Sequence, residues 1–265
     1  MSGAAPPPLH PLSAFLAPWF ADGVPDLDRL NAAARERAVV AGSGRPLRFV
    51  PPPADDEGYE ARIFRSGEVA TRANHRHDLF NALVWLEFPR AKAALNRRHH
   101  AELSAGAAAG RRGTVRDALT QFDECGVVVA GTGPDLWRAL RAHRWREVFV
   151  ARRAELLRTT RFLVFGHASH DLLGAPFVGL CGKALFVEVD AAWLDSPASS
   201  ARAAIDGSLA ARFEAGGIAP RDWQPLPLLG IPGATADNED PAYYHDARQF
   251  RPPRTMRAGS PPGNR

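Results

Sequence analysis

The chain reads as an α+β protein, a helix-rich single domain with a few short strands and a small sheet. Three observations carry that class. Stretches with helical spacing of apolar residues recur along the chain. The short apolar runs between them come in irregular order, without regular βαβ alternation. Composition is ordinary for a globular chain of 265 residues, 45% hydrophobic and 23% charged, which is too apolar for disorder.

The elements follow in order. Residues 1–24 are expected to form a flexible segment, residues 25–250 one globular domain, and residues 251–265 a disordered tail rich in Pro and Arg. Pro25 and the acidic Asp26 and Asp28 open a helix to about residue 40, where Gly42 and Gly44 end it. Residues 47–51 and 59–64 read as strands, the second on an imperfect alternation of Tyr59, Ala61 and Ile63. A helix is expected from residue 77 to 87. Pro89 then serves as the first residue of another, which runs to about residue 103.

Residues 104–113 read as an Ala/Gly loop, and residues 118–122 and 126–130 as a hairpin turning at Asp123-Glu124-Cys125, with a helix over 115–122 as the other possibility. Residues 135–158 form the clearest helical stretch, with a break marked by His143 and Arg144. A buried strand at 161–165 leads into a helix at 167–173. Residues 184–189 make a strand, 200–216 a helix, and 225–232 a proline-punctuated loop.

Charge and cysteine usage bound the function. The net charge of +4 and pI near 9.6 permit an anionic partner without demanding one. Cys125 and Cys181 are isolated, without CxxC or zinc-knuckle spacing. With no run of 18 apolar residues and no charged leader ahead of residues 14–20, the chain is expected to be soluble, cytoplasmic and free of membrane spans.

Lys92 and Lys183 are the only lysines. In a chain so biased toward Arg, Ala, Gly and Pro, residues with AT-rich codons are informative where they persist. Three of six asparagines (Asn74, Asn81, Asn96) and four of nine histidines share one segment with Lys92. At roughly 100° per residue, His77, Asn81, Trp85, Phe88, Lys92 and His99 fall in one stripe less than about a quarter-turn wide, with Asp78 and Asn96 at its margin. A face mixing such groups implies either a satisfied polar network or a site.

The site reading assigns His77 or His99 as general base, Asn81 as orienter and Lys92 as anion contact. Asp78 and Asp123 are the candidate metal ligands, Asp123 as one of the Asp123-Glu124 pair. His167 joins them, because His167, His170 and Asp171 stand at i, i+3 and i+4 and can face one ion. The function expected is a metal-assisted hydrolase of phosphodiester type using a divalent metal. The alternative is a non-catalytic binding protein for an anionic small molecule or nucleic acid, supported by the basic residues from 138 to 161 interleaved with Trp137, Trp145 and Phe149. A third reading makes the stripe a purely structural network.

Other motifs fail. Phe177 and Ala184 break the P-loop pattern around Gly182-Lys183. Leu136 breaks the dinucleotide pattern after Gly131 and Gly133, and no Gly-x-Ser-x-Gly elbow occurs.

The block from His77 to Asn96, with His99, resembles the best-marked block of a bacterial family of uncharacterised proteins, domain-of-unknown-function 3025. Matching blocks are Arg116 to Thr120 with Phe122-Asp123-Glu124, then Phe165-Gly166-His167-Ala168. The last runs from Pro227 to Gly233, with Asn238 and Tyr243-Tyr244-His245-Asp246. The resemblance covers about residues 45–253 and implies bacterial origin and one continuous domain, with no activity attached. Two departures stand out: His170 replaces a usually apolar residue, and Ala234 an aromatic.

Overall fold

The computed structural model describes residues 7–54, 58–109, 113–216 and 222–252. The first element is a 3-10 helix, Pro11–Phe20, whose Leu16, Trp19 and Phe20 are buried. Part of the segment expected to be flexible therefore belongs to the core. Residues 1–6 and the tail beyond residue 252 lie outside the described residues.

Helix α1 (Leu27–Glu36) begins where Asp26 accepts a hydrogen bond from Arg29 N. Strand β1 (Arg48–Val50) follows as expected. The run from Tyr59, read above as a strand, is instead helix α2 (Tyr59–Ser66), ended by Gly67 at φ 75°. Its adjacent buried residues Arg62 and Ile63 belong to a helical face rather than an alternating one. Strand β2 (Glu68–Ala70) then pairs parallel with β1.

Helix α3 (Arg76–Glu87) ends at Phe88, whose φ of −132° and ψ of 57° break the helical path. Helix α4 begins at Pro89, where a missing N–H does no harm, and continues through the expected Ala/Gly loop to Ala109. The stripe over residues 77–99 is therefore two helical faces joined at a bend. Trp85 packs into one core cluster and Phe88 into another.

The expected hairpin is also corrected. Residues 114–125 form helix α5 (Thr114–Cys125), and strand β3 (Gly126–Gly131) follows it directly. Asp123 and Glu124 thus sit in the last turn of a helix. The stretch over 135–158 divides into α6 (Pro134–Arg141), a π-helical turn (Glu147–Ala151) and α7 (Arg153–Thr159), with the break at His143, φ 55°. After these come β4 (Thr160–Val164), α8 (His167–Leu172), β5 (Cys181–Glu188), α9 (Ala191–Leu194), α10 (Ala198–Glu214) and β6 (Gln224–Pro227).

The main sheet has the order β4-β3-β5-β6, with β3 and β5 parallel and both outer pairings antiparallel. Strand β3 is buried along its whole length. Its alternation sends Val127 and Val129 into a core with Leu136, Val148 and Phe149, and Val128 and Ala130 into one with Phe122, Phe165 and Phe213. A sheet covered on both faces explains the uninterrupted apolar run at 127–130. A third cluster joins the N-terminal 3-10 helix, α1, α2 and α3 through Leu16, Phe20, Leu30, Ile63 and Phe80. No helix of the described residues is long and apolar enough to cross a membrane.

Candidate metal centre

The ends of three helices meet beside the sheet. Strand β4 leads through Phe165 and Gly166 into α8, and both of their N–H groups donate to Gly126 O, at 2.9 and 2.8 Å. This clamps the turn against the end of α5. His167, the first residue of α8, therefore comes to rest beside Asp123 and Glu124. Helix α3 brings His77 from the other side.

One ligand atom from each of His77, Glu124 and His167 lies within 4.8 Å of the others. The two imidazole Nε2 atoms are 3.1 Å apart, and Glu124 Oε2 is 3.6 Å from His167 Nε2. At 3.1 Å one neutral ring can donate to the other, or both can turn lone pairs on a shared cation. Nitrogens at that spacing, each about 2.1 Å from one ion, subtend roughly 100°, which suits first-row divalent metals. These three side chains can hold a divalent metal ion.

The surroundings prepare His167 for that role. Burial pushes its pKa down to about 4, and Lys92 and His77 push the same way against the opposing pull of Asp123. The ring is therefore neutral at pH 7, as a ligand must be. Its Nδ1 faces Asp123 Oδ2 at 3.7 Å, and Asp123 Oδ1 accepts from Lys92 Nζ at 2.5 Å. The 3.7 Å gap is beyond hydrogen-bond reach, and Nδ1 has no hydrogen-bond partner among the described residues, so Asp123 acts on the ring through its charge. Burial alone would raise the Asp123 carboxyl, but Lys92 and then His167 hold it below the usual range. Glu124 is raised by burial and by repulsion from Asp123.

A cleft of about 520 Å³ opens over this cluster, with Tyr59, Glu60, Arg72, Asp78, Asn81 and His99 on its other walls. His99 is buried, and its Nδ1 has no hydrogen-bond partner among the described residues. Burial lowers its pKa, partly offset by Glu60 and Asp123. Asn81 Nδ2 donates to the Tyr59 hydroxyl oxygen at 2.5 Å, while Asn81 Oδ1 accepts from Lys92 at 3.0 Å. Asn96 lies behind the wall. It accepts from Gly42 N and donates to Glu60 Oε2 at 2.8 Å, which fixes that carboxylate in the cleft.

Each sequence candidate now has a place. His77, Asn81, His99, Asp123 and His167 converge on the one cleft, together with Asp78. Lys92 does not line it. Its ammonium is buried against Asn81 and Asp123, 5.2 Å from the Trp85 ring centroid, so it has no access to an external anion. Asp78 is occupied at the mouth: Arg72 N and Nε donate to Oδ2, and Arg72 Nη2 and His75 Nδ1 reach Oδ1. With both oxygens engaged it is an ion-pair residue rather than a member of the metal-binding trio.

Asp123 stands behind His167, and its neighbour Glu124 faces the trio. His170 and Asp171 turn away from His167, toward Ser13 and Arg76. Sequence reasoning missed Tyr59. The Gly58 ahead of it and the Glu60 in the first turn were the available signs of a helix start.

A family model described as protein of unknown function (DUF3025) matches residues 47–254. No curated protein matches the chain, and no solved structure does.

Proposed function

The chain belongs to the DUF3025 family, and from that premise we propose that it is a metal-assisted hydrolase of phosphodiesters. One divalent ion is held by His77, Glu124 and His167. The observation that carries the reading is the pair of Nε2 atoms 3.1 Å apart beside Glu124, in the wall of a cleft. Two histidines and one carboxylate leave a coordination position open, as catalytic sites do and closed structural sites do not. A divalent ion there supplies Lewis-acid chemistry.

The chain's own residues do the rest. With His77 taken as a ligand, His99 becomes the general base: it is neutral, buried and in the cleft wall. Asn81 orients, Asp123 acts on His167 through its charge, and Lys92 balances the Asp123 charge. Beyond the Asp123 charge that Lys92 balances, Glu60 and Glu124 stand around the cleft. A phosphodiester carries a single negative charge and meets less repulsion there than a dianionic monoester.

The alternative is a non-catalytic protein binding an anionic ligand or nucleic acid through the basic stretch at 138–161. There Arg138, Arg144, Arg152 and Arg153 face Asp135, Glu147, Glu155 and Glu239. These pairs offset four of the eight arginines between 138 and 161, which halves the charge the stretch offers such a partner. Both cysteines are free thiols, which fits the cytoplasm, where we place the protein.

Calorimetric titration with Zn²⁺ and Mn²⁺ tests the proposal. One ion should bind per chain, and binding should be lost in His167→Ala. Hydrolysis of bis(p-nitrophenyl) phosphate should then appear with the ion, vanish on chelation, and exceed that of the monoester by about tenfold or more, a difference of roughly 1.4 kcal/mol in barrier. A chain that binds neither ion is not this enzyme.

A further inference from the structure

We infer that Tyr59 is the proton donor of the cleft, giving its phenolic hydrogen to the leaving oxygen of the bound ester. The inference rests on the hydrolase reading. It begins from the orientation of an amide. Lys92 is a donor only, so the Asn81 atom it reaches at 3.0 Å must be the oxygen. The amide nitrogen then faces the other way and donates to the Tyr59 oxygen at 2.5 Å. Lys92 is itself fixed by Asp123. The hydroxyl is thus held as an acceptor toward Asn81, and its own hydrogen has no protein acceptor among the described residues. In a cleft wall, that hydrogen points to water or to a ligand.

Position supports the role. His77 and Asn81 stand at i and i+4 on α3, side by side on one face of the helix, about 6 Å apart. The Tyr59 hydroxyl, bonded to Asn81, therefore lies one helical turn from the proposed ligand His77. One phosphoryl group spans that interval. Tyr59 as a residue is 40% exposed, while its hydroxyl turns inward onto Asn81. Burial, then the Glu60 and Asp123 carboxylates, hold the phenol well above its ordinary range, so it stays protonated until a strong base develops next to it.

Such a base is the oxygen leaving phosphorus. As water adds to phosphorus and passes a proton to His99, the bond from phosphorus to the leaving oxygen breaks. That oxygen takes the Tyr59 hydrogen. The phenolate left behind keeps its hydrogen bond from Asn81 and regains a proton from solvent, while His99 releases the one it took to solvent. Diester and water become monoester and alcohol, and both residues return to their starting states.

The test is Tyr59→Phe in the Zn²⁺-loaded protein, compared on two diesters that differ in leaving-group basicity. On dimethyl phosphate, whose methoxide leaving group is a stronger base than the raised Tyr59 phenolate, kcat should fall about 100-fold. On methyl p-nitrophenyl phosphate, whose leaving group needs little protonation, the fall should be several times smaller. Zn²⁺ affinity should not change. Equal losses on both esters, or no loss, overturn the inference.

A second measurement needs no turnover. Inorganic phosphate titrated into the Zn²⁺-loaded protein should bind about tenfold more weakly to Tyr59→Phe. An unchanged phosphate affinity rejects Tyr59 as a donor even if no ester is ever hydrolysed. Failure of the wild type to bind Zn²⁺ rejects the hydrolase reading itself, and this inference with it.

Discussion

His170 lies one helical turn beyond His167 and faces the other way. Its Nδ1 is 2.7 Å from Ser13 Oγ, and its ring packs against Phe15 and Phe80. Burial pushes its pKa down to about 3, as it pushes His167 to about 4. Both folded values lie below the unfolded value of about 6.5, so both rings favour the folded state in neutral form. Their contribution is complete above about pH 6.5 and is lost as pH falls from there toward the folded values. Each ring adds about 1.4 kcal/mol of stability per pH unit across that window. In urea unfolding between pH 6.5 and 4.5, His170→Phe should lower this slope by roughly one such increment, and a slope unchanged from wild type would show that His170 titrates normally. The sequence marked His170 as a departure from an apolar position, but nothing local could show that its partner is Ser13, 157 residues away.

At the level of elements, legibility followed pattern length. Helices α3 and α4 are long and strongly marked, and Pro89 fixed the start of the second. Six of the seven candidate residues, His77, Asp78, Asn81, His99, Asp123 and His167, line one cleft. Short elements were the ones misread. The eight residues of α2 admit both a two-residue and a helical period. At Asp123-Glu124-Cys125, turn-like composition hid the end of α5. The exchange of roles between Asp123 and Glu124 depends on the helical phase of α5 against α8, which is a tertiary quantity. Gly166 controls that docking. A Cβ there would stand 2.4 Å from Glu124 O and 2.5 Å from Cys125 N and Cα, all of them backbone. Gly166→Ala must therefore move α8 away from α5. We expect a loss of at least about 1–3 kcal/mol in stability, the usual range for overpacking, and Zn²⁺ affinity reduced by more than about tenfold in titration. A variant with wild-type affinity would show that the spacing of His167 and Glu124 is not set by this turn.

Across the whole molecule, the N-terminal 3-10 helix ties regions that are distant in sequence. Ser13 reaches α8, Phe15 meets Phe88, and Trp19 Nε1 donates to Glu87 Oε1 at 2.9 Å. Leu16, Trp19 and Phe20 are buried in the cluster that packs α3. At about 1.5–3 kcal/mol for each large buried side chain, removing residues 1–24 should lower the melting temperature by well over 10 °C, or prevent folding. A truncated chain that melts with the full one would mean this helix adds nothing to the core.

The Lys92–Asp123 contact has a consequence for electrophilicity. Without the lysine, a divalent ion beside Asp123 and Glu124 would face two full negative charges and lose most of its pull on a substrate. The ammonium, 2.5 Å from Asp123, cancels one of them from inside the protein. Glu124 is left as the single uncompensated anion of the trio, and a dication there would keep a net positive charge directed at the cleft.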